Sequence, residues 1–290
     1  MKVSGHEIKC MDCECEHFPQ QLLNIKDPPE RLYYAGDLSA LDRPTAAIVG
    51  SRKFTVYGKT VSRMLGERLG EAGVSVVSGL AYGIDSFAHQ GVIDAGGKAV
   101  AVLGGGLLRM SPRKNYQLME DILNSGGLVV SEYEPDYPPQ AWTYPRRNRI
   151  ISGLSRIVCV VEANFNSGAL ITAQHAMEQG RQVYAVPGNI NSQFSMGSNL
   201  LIRDGASPLV VMDDLIRDMG LDVTINEAAS PNLGEDERML LEVVKRYNGA
   251  SVDTVAREAN RRIQSVNAIL TVMEVKGYVW SCGGKYYTNM

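Results

Sequence analysis

From residue 46 onward, short apolar runs alternate with stretches of helical periodicity. The runs are Ala46–Val49, Val74–Val77, Ala99–Leu103, Leu128–Val130, Ile157–Val161, Val183–Val186 and Leu209–Val211. Each is continuous rather than alternating, the pattern of a strand buried on both faces of a parallel sheet. Between the first two runs, Val61, Leu65, Leu69 and Ala72 fall on one helical face. This strand–helix alternation predicts an α/β fold with a doubly wound, mostly parallel, Rossmann-like sheet over residues 45–221.

Residues 1–44 lack that rhythm and read as a short, irregular N-terminal extension closing on a Pro28-Pro29 stretch. Residues 222–234 are polar, carry Pro and Gly, and read as a linker. Beyond them, 235–247, 251–258 and about 262–276 are helical, the last with Ile263, Val266, Ile269, Leu270 and Met273 on one face. Tyr278–Thr288 reads as a hairpin about Gly283-Gly284. Three helices and a β-wing predict a small C-terminal winged-helix domain at 235–290.

Composition narrows the class. Of 290 residues, 44% are hydrophobic and 21% charged, as in ordinary globular proteins. No apolar run approaches the roughly 18–20 residues of a membrane helix. Residues 1–7 lack the apolar core of a secretory signal, so no membrane association and a cytoplasmic location are expected. A net charge of −3 argues against a general nucleic-acid coat protein, and any DNA site must be a local basic patch. Cys159 sits in an apolar run and reads as a small buried hydrophobe. Cys10, Cys13, Cys15 and His17 crowd into eight residues, whereas zinc sites draw their second ligand pair from a distant segment. They read as unligated thiols, and no metal is expected.

Two phosphate-loop patterns fail on inspection. Gly58-Lys59-Thr60 looks like the end of a Walker A loop, but the required earlier glycine is replaced by Lys53. Gly104-Gly105-Gly106 could open a dinucleotide fingerprint, but its third position is Arg109. No NAD, ATP or other cofactor is expected, although a triple glycine after a strand still marks a close-approach site for a ligand.

Ligands of doubly wound sheets collect at the carboxyl ends of the strands. Four glycine-bearing turns follow strands there: Gly50-Ser51-Arg52, Ser78-Gly79 with Gly83, Ser167-Gly168, and Pro187-Gly188. Any one could be a tight turn that packs helix on strand. Together with helix N-termini they favour a phosphate-rich ligand. The strongest element is Tyr144-Pro145-Arg146-Arg147-Asn148-Arg149. From Tyr137 to Val161 there are four arginines and no acid. Pro145 suits the first helical position, which would crowd three arginines into the first turn, against the helix dipole. A bound polyanion accounts for that placement better than a solvated face, because arginine forks match phosphate oxygens. Tyr144 and Trp142 offer π-faces for bases. Arg52, Arg147 and Arg149 are expected each to neutralise one phosphate of a single strand, with duplex binding more weakly.

Taken together, Val49-Gly50-Ser51-Arg52, Ser78-Gly79-Leu80-Ala81-Tyr82-Gly83-Ile84-Asp85, the 145–155 run Pro-x-Arg-Asn-Arg-Ile-Ile-x-Gly-Leu-Ser, Val161-Glu162-Ala163, Ser167-Gly168-x-Leu170-Ile171-Thr172-Ala173 and Ala185-Val186-Pro187-Gly188 resemble the DNA-processing protein A (DprA, or Smf) family, from about Phe18 to Met219. The resemblance implies single-stranded DNA binding, homodimerisation through the Rossmann domain, and loading of the RecA recombinase during natural transformation; the helices flanking the last strands, such as 168–180 and 197–205, are candidate dimer contacts. Because neither phosphate loop has its full set of glycines, a non-enzymatic role is expected and no residue is expected to be catalytic. The family often begins with a helical SAM-like domain, in place of which this chain has only its short extension. It usually carries Asp and Tyr-Pro where this chain has Leu108 and Ser111-Pro112, and often Phe at Tyr144.

Two other functions compete. A phosphoribohydrolase-like nucleotide enzyme would continue Pro187-Gly188 with further glycines, but Asn189-Ile190-Asn191 follows. Glu162 and Asp85 are its candidate acids, each with a simpler role in capping a helix or orienting arginines. A winged-helix transcription regulator would need a basic module, whereas Glu235–Met290 holds eight basic and seven acidic residues, with Arg261 and Arg262 opening the third helix.

Overall fold

The fold, a computed structural model, describes residues 1–222, 233–247, 249–275 and 278–288. The chain divides near residue 224 into two compact units. Most of the linker read at 222–234 lies outside the described residues.

In the first unit, the apolar runs become parallel strands. These strands are β5 (Thr45–Val49), β6 (Ser75–Ser78), β7 (Ala99–Val102), β8 (Leu128–Ser131), β9 (Ile157–Val160), β10 (Gln182–Ala185) and β11 (Ser207–Pro208). Strands β5 to β9 are buried along their whole length, and β10 and β11 are partly exposed towards the edge. The alternating pleat of β5 feeds two cores. Ala46 and Ile48 pack with Leu65 and Leu69 of α2 (Val56–Glu71), Ile84 of α3 (Ile84–Asp94) and Ile122 of α4 (Tyr116–Asn124). Ala47 and Val49 pack with Ile150 and Ile151 of α5 (Thr143–Gly153) and Ala173 of α6 (Gly168–Glu178). Helices on both faces make the sheet doubly wound, as the apolar pattern predicts.

The strand order is β11-β10-β9-β5-β6-β7-β8, continued by β4 (Arg31–Gly36) and β3 (Lys9–Asp12). From β5 the chain proceeds one way through β6 to β8 and the other way through β9 to β11. The order reverses between β5 and β9, and the crevice at their carboxyl ends is the usual ligand site of such sheets.

Two expectations are corrected. The N-terminal segment is not an irregular extension: β4 pairs antiparallel with β8, and β3 with β4. A short hairpin, β1 (Lys2–Val3) with β2 (His6–Glu7), precedes them, and Leu22 of α1 (Gln20–Leu23) lies fully buried in the α5–α6 core. The last strand is Ser207–Pro208 rather than 209–211, and Val210 and Val211 are exposed, between the strand and α8 (Asp213–Asp218).

The second unit holds α9 (Glu235–Tyr247), α10 (Val252–Glu258) and α11 (Ile263–Val275) with a three-stranded antiparallel sheet. Its strands are β12 (Ala250–Ser251), β13 (Val279–Cys282) and β14 (Lys285–Thr288), in the order β12-β14-β13. Leu240, Val244, Val255, Val266, Leu270, Met273 and Tyr286 form its core. The β13–β14 turn puts both Gly283 and Gly284 at positive φ, +58° and +74°, as a two-residue hairpin turn requires.

Candidate nucleic-acid interface

A cavity of about 690 Å³ opens at the carboxyl ends of β5 and β9. Gly50, Ser51 and Arg52 come to it from β5, Tyr144, Arg147 and Asn148 from α5, and Ser167 and Gly168 from the start of α6. These parts of the expected site converge although they are drawn from three segments spread between residues 50 and 168. Ser167 caps α6 by accepting from the Ala169 N–H at 3.3 Å, so the positive end of that helix faces the cavity. A methyl group at Gly168 would meet nothing within 4 Å, which leaves the wall open for a ligand. Arg52 places its guanidinium carbon 5.3 Å from the Tyr144 ring centroid. A cation and a π-face thus stand together on the rim, an arrangement that suits a phosphate beside a base.

The arginine run does something other than expected. Its helix begins at Thr143, so Pro145 is the third helical residue and the three arginines extend past the first turn, to radiate in different directions. Arg147 is 5% exposed and donates to the carbonyls of Gly79 (2.9 Å) and Val102. Burial lowers its guanidinium pKa to about 10, against the pull of Asp85, so it remains charged at neutral pH but is committed to the cavity floor. Arg149 has a side chain 6% exposed, with both terminal nitrogens on Glu132 at 2.9 and 2.7 Å and Nε on the Asp27 carbonyl at 2.7 Å. It locks the N-terminal segment to the exit of β8, with four of its five N–H donors taken by Asp27, Glu132 and Arg146. Arg146 lies outside the cavity, 3.6 Å from Asp27 and 3.8 Å from Glu132. Arg147 and Arg149 therefore both have framework roles, and of the two only Arg147 also lines the cavity. Asn148 donates to the Gly168 carbonyl at 3.1 Å and ties α5 to α6.

Several glycines make tight packing contacts within the fold. A Cβ on Gly50 would lie 2.7 Å from the Ile84 side chain, and one on Gly79 would lie 2.8 Å from the Asp85 carboxylate. Gly83, at φ +100°, would meet the Ser51 carbonyl at 2.5 Å. Ser78 is buried and donates to the Ile48 carbonyl at 2.6 Å. Ser78, Gly79 and Gly83 thus shape the turn without lining the cavity. The glycine triplet is also corrected. A Cβ on Gly104 would sit 2.8 Å from Tyr144 Cδ1, one on Gly105 2.9 Å from Pro139, and one on Gly106 2.0 Å from the Glu134 carbonyl. The close approach there is to the chain's own 134–144 loop, not to a ligand.

The two candidate acids cap turns. Asp85 accepts from the N–H groups of Gly79 (3.1 Å) and Ala81 (3.4 Å). Burial pushes its carboxyl pKa up, while Arg147 and these N–H groups oppose the shift. Glu162 accepts from the Thr55 N–H (2.9 Å) and hydroxyl (2.5 Å) at the start of α2, and a Cβ on Gly58 would fall 2.2 Å from its carboxylate. The glycine that imitated a Walker loop is there to admit Glu162. Gly188 likewise packs on Ser195, at the start of α7 (Met196–Arg203). Both acids are thus engaged in holding turns, and Asp85 also lines the cavity.

The sequence reading missed Lys53, Asn164, Asn166, Gln193 and Phe194, which also line the cavity. Lys53 adjoins Arg52, and the asparagines precede the expected Ser167, but no spacing rule singles them out. Among the described residues, no group of three or more His, Cys, Asp or Glu could hold a metal ion, and no helix is long and apolar enough to cross a membrane.

Comparison with known proteins follows the same outline. Residues 9–220 match the family described as DNA recombination-mediator protein A. The protein Smf of Escherichia coli (strain K12) is 38% identical over 281 residues, 94% of this chain and 75% of its own. The DNA processing protein DprA of Streptococcus pneumoniae is 42% identical over 200 residues, 69% of this chain and 70% of its own. The X-ray structure of the S. pneumoniae DNA processing protein A aligns with a TM-score of 0.69 at 39% identity, covering 73% of this chain and 74% of that one. DNA processing protein A of Helicobacter pylori, whose structure is described for its single-stranded DNA binding mode, aligns with a TM-score of 0.67 at 28% identity, over 75% and 98% of the two chains. With the match running through nearly the whole first unit, this chain belongs to the DNA recombination-mediator protein A family.

Proposed function

We propose that the protein is a recombination mediator that holds single-stranded DNA across the carboxyl-end cavity without chemical turnover. The observation that carries this reading is the pairing of Arg52 with Tyr144 at the mouth of a cavity that ends on the N-terminus of α6. Phosphates fall to Arg52, Lys53 and the helix end, and one base stacks on Tyr144. Stacking of this kind is worth roughly 1–3 kcal/mol per base and reads no sequence. In a duplex the bases are already stacked on each other, so Tyr144 has no free face to receive.

Membership of the family, and the single-stranded DNA named for the H. pylori relative, support the same reading. The resemblance further points to a cytoplasmic protein that protects incoming DNA and loads RecA during natural transformation. It points to a homodimer as well, and the exposed Ile171 and Met177 on α6, Met196 on α7, and Val210 and Val211 after the two-residue edge strand β11 are apolar surface for a second copy. The C-terminal unit has the element set of a winged helix, with a near-neutral charge that fits contact with protein better than with duplex.

Anisotropy titrations with single-stranded and duplex oligomers of equal length test the core of the proposal. Tighter binding of the single strand supports it, and equal or tighter binding of the duplex overturns it. Strand exchange by RecA with and without the protein tests the mediator role, and light scattering at micromolar concentration tests the dimer.

A further inference from the structure

The geometry points to a second anion site, at the opposite edge of the sheet, that takes a phosphate group through Arg43, Arg156 and Arg181. The three arginines stand on the segments leading into β5, β9 and β10, which are adjacent strands. The Arg156 backbone N–H donates to the Thr45 carbonyl at 2.9 Å, and Gln182 pairs with Ile157, so Arg181 and Arg156 occupy neighbouring positions just before the ladder. A cleft of about 320 Å³ lies among them, with Thr45, Gln21 and Ser155 also in its walls. It contains no carboxylate and no aromatic ring.

Two features set this cleft apart from a solvated basic face. Most other arginines of this unit are ion-paired, among them Arg63, Arg68, Arg149 and Arg217, whereas none of these three has a carboxylate partner among the described residues. Like charges gathered on adjacent strands repel one another, and among the described residues no carboxylate pairs directly with any of the three, although Asp37 acts on Arg43 at longer range. In addition, Arg181 is only partly exposed: it donates one N–H to the Gly153 carbonyl at 3.2 Å, while its Nε is buried with no acceptor. A charged donor left unpaired in this way is costly, and an oxyanion bound in the cleft offsets the charge that Arg181 brings there.

Phosphate fits better than a single carboxylate, because three arginines lining one cleft can share several oxygens. With no ring to stack on, the cleft grips the phosphate itself and not a base. The strands between this cleft and the DNA cavity are 4–5 residues long, which puts the two sites roughly 13–17 Å apart. The phosphate can therefore be a free anion or part of a strand that wraps round the sheet.

The test uses the full chain and the double variant Arg43→Gln/Arg156→Gln, whose two side chains are exposed and whose loss opens no core. Thermal unfolding with pyrophosphate at about ten times its Kd should raise the Tm of the wild type by about 3–5 °C. The rise should vanish in the double variant and persist in Arg52→Ala, so failure here is separable from failure of the DNA-cavity reading. In a second arm, the salt slope of log affinity is compared for thymidine oligomers of six and thirty nucleotides. A slope shallower by about 1.4 in the double variant for the longer oligomer only identifies the phosphate as DNA backbone. A pyrophosphate effect with no slope change identifies it as a free anion. If wild type and double variant behave alike in both arms, the site does not exist.

Discussion

The guanidinium of Arg52 lies 5.3 Å over the ring of Tyr144, one residue contributed by the turn after β5 and the other by the first turn of α5. In the unliganded site this cation–π contact is worth about 0.5–1 kcal/mol and keeps both groups at the rim. Replacing Tyr144 with Ala should weaken single-stranded DNA binding by roughly 1–3 kcal/mol while the salt slope stays unchanged, because stacking releases no counterions. Anisotropy titrations at several salt concentrations would show this, and an altered slope with unaltered affinity would exclude stacking.

Gly104 tests the same ring from behind. A methyl group there would stand 2.8 Å from Tyr144 Cδ1. Gly104→Ala should displace the ring and reduce affinity nearly as far as Tyr144→Ala, with a small change in Tm. A variant that binds DNA like the wild type would place the stacking surface elsewhere.

Arg149 should behave as a structural residue. Removing it leaves Glu132, whose side chain is 8% exposed, without its bidentate partner and releases the Asp27 carbonyl. Breaking a buried pair from one side costs about 3–5 kcal/mol. Arg149→Ala should therefore lower the urea midpoint substantially, while the protein that remains folded keeps the wild-type salt slope. A flattened slope with normal stability would restore Arg149 as a phosphate contact.

The contrast between Arg52 and Arg149 shows where the sequence stopped being informative. Continuous apolar runs marked β5 to β10 because a strand covered on both faces favours apolar side chains and admits only small polar ones such as Ser78. The strand at Arg31–Gly36 escaped notice because it mixes exposed, partly buried and buried positions and follows Pro28-Pro29, which reads as loop. Val210 and Val211 attracted a strand assignment by hydrophobicity alone, yet both are exposed. The position of the site was legible from the glycine turns and the arginine run. The identity of the free cations was not, since neighbouring positions on α5 point about 100° apart and only the surrounding tertiary structure decides which one meets water. Lys53 was missed for the converse reason: a single exposed lysine in a turn carries no pattern.

Acid should destabilise the protein through His89. This residue of α3 is fully buried, neither ring nitrogen has a partner, and burial, aided by the charge of Arg147, lowers its pKa to about 3. The unfolded chain takes up the proton near pH 6.5, so the unfolded state binds more protons than the folded state between about pH 6.5 and 3. Stability is complete above that window and falls with pH inside it, by up to about 1.4 kcal/mol per unit from this group. Urea midpoints at pH 7.5 and 5 should differ for the wild type and differ less for His89→Gln. An identical difference in the two proteins would remove His89 from the acid response.

The central claim is that single-stranded DNA is held by charge at the Arg52 rim, and the salt dependence of binding tests it most directly. For a labelled thymidine oligomer, log affinity against log salt should fall along a line whose slope is shallower by about 0.7 in Arg52→Ala than in the wild type, with a matching loss of affinity and an unchanged Tm. Equal slopes and equal affinities for the two proteins would contradict the account and move the DNA site away from this cavity.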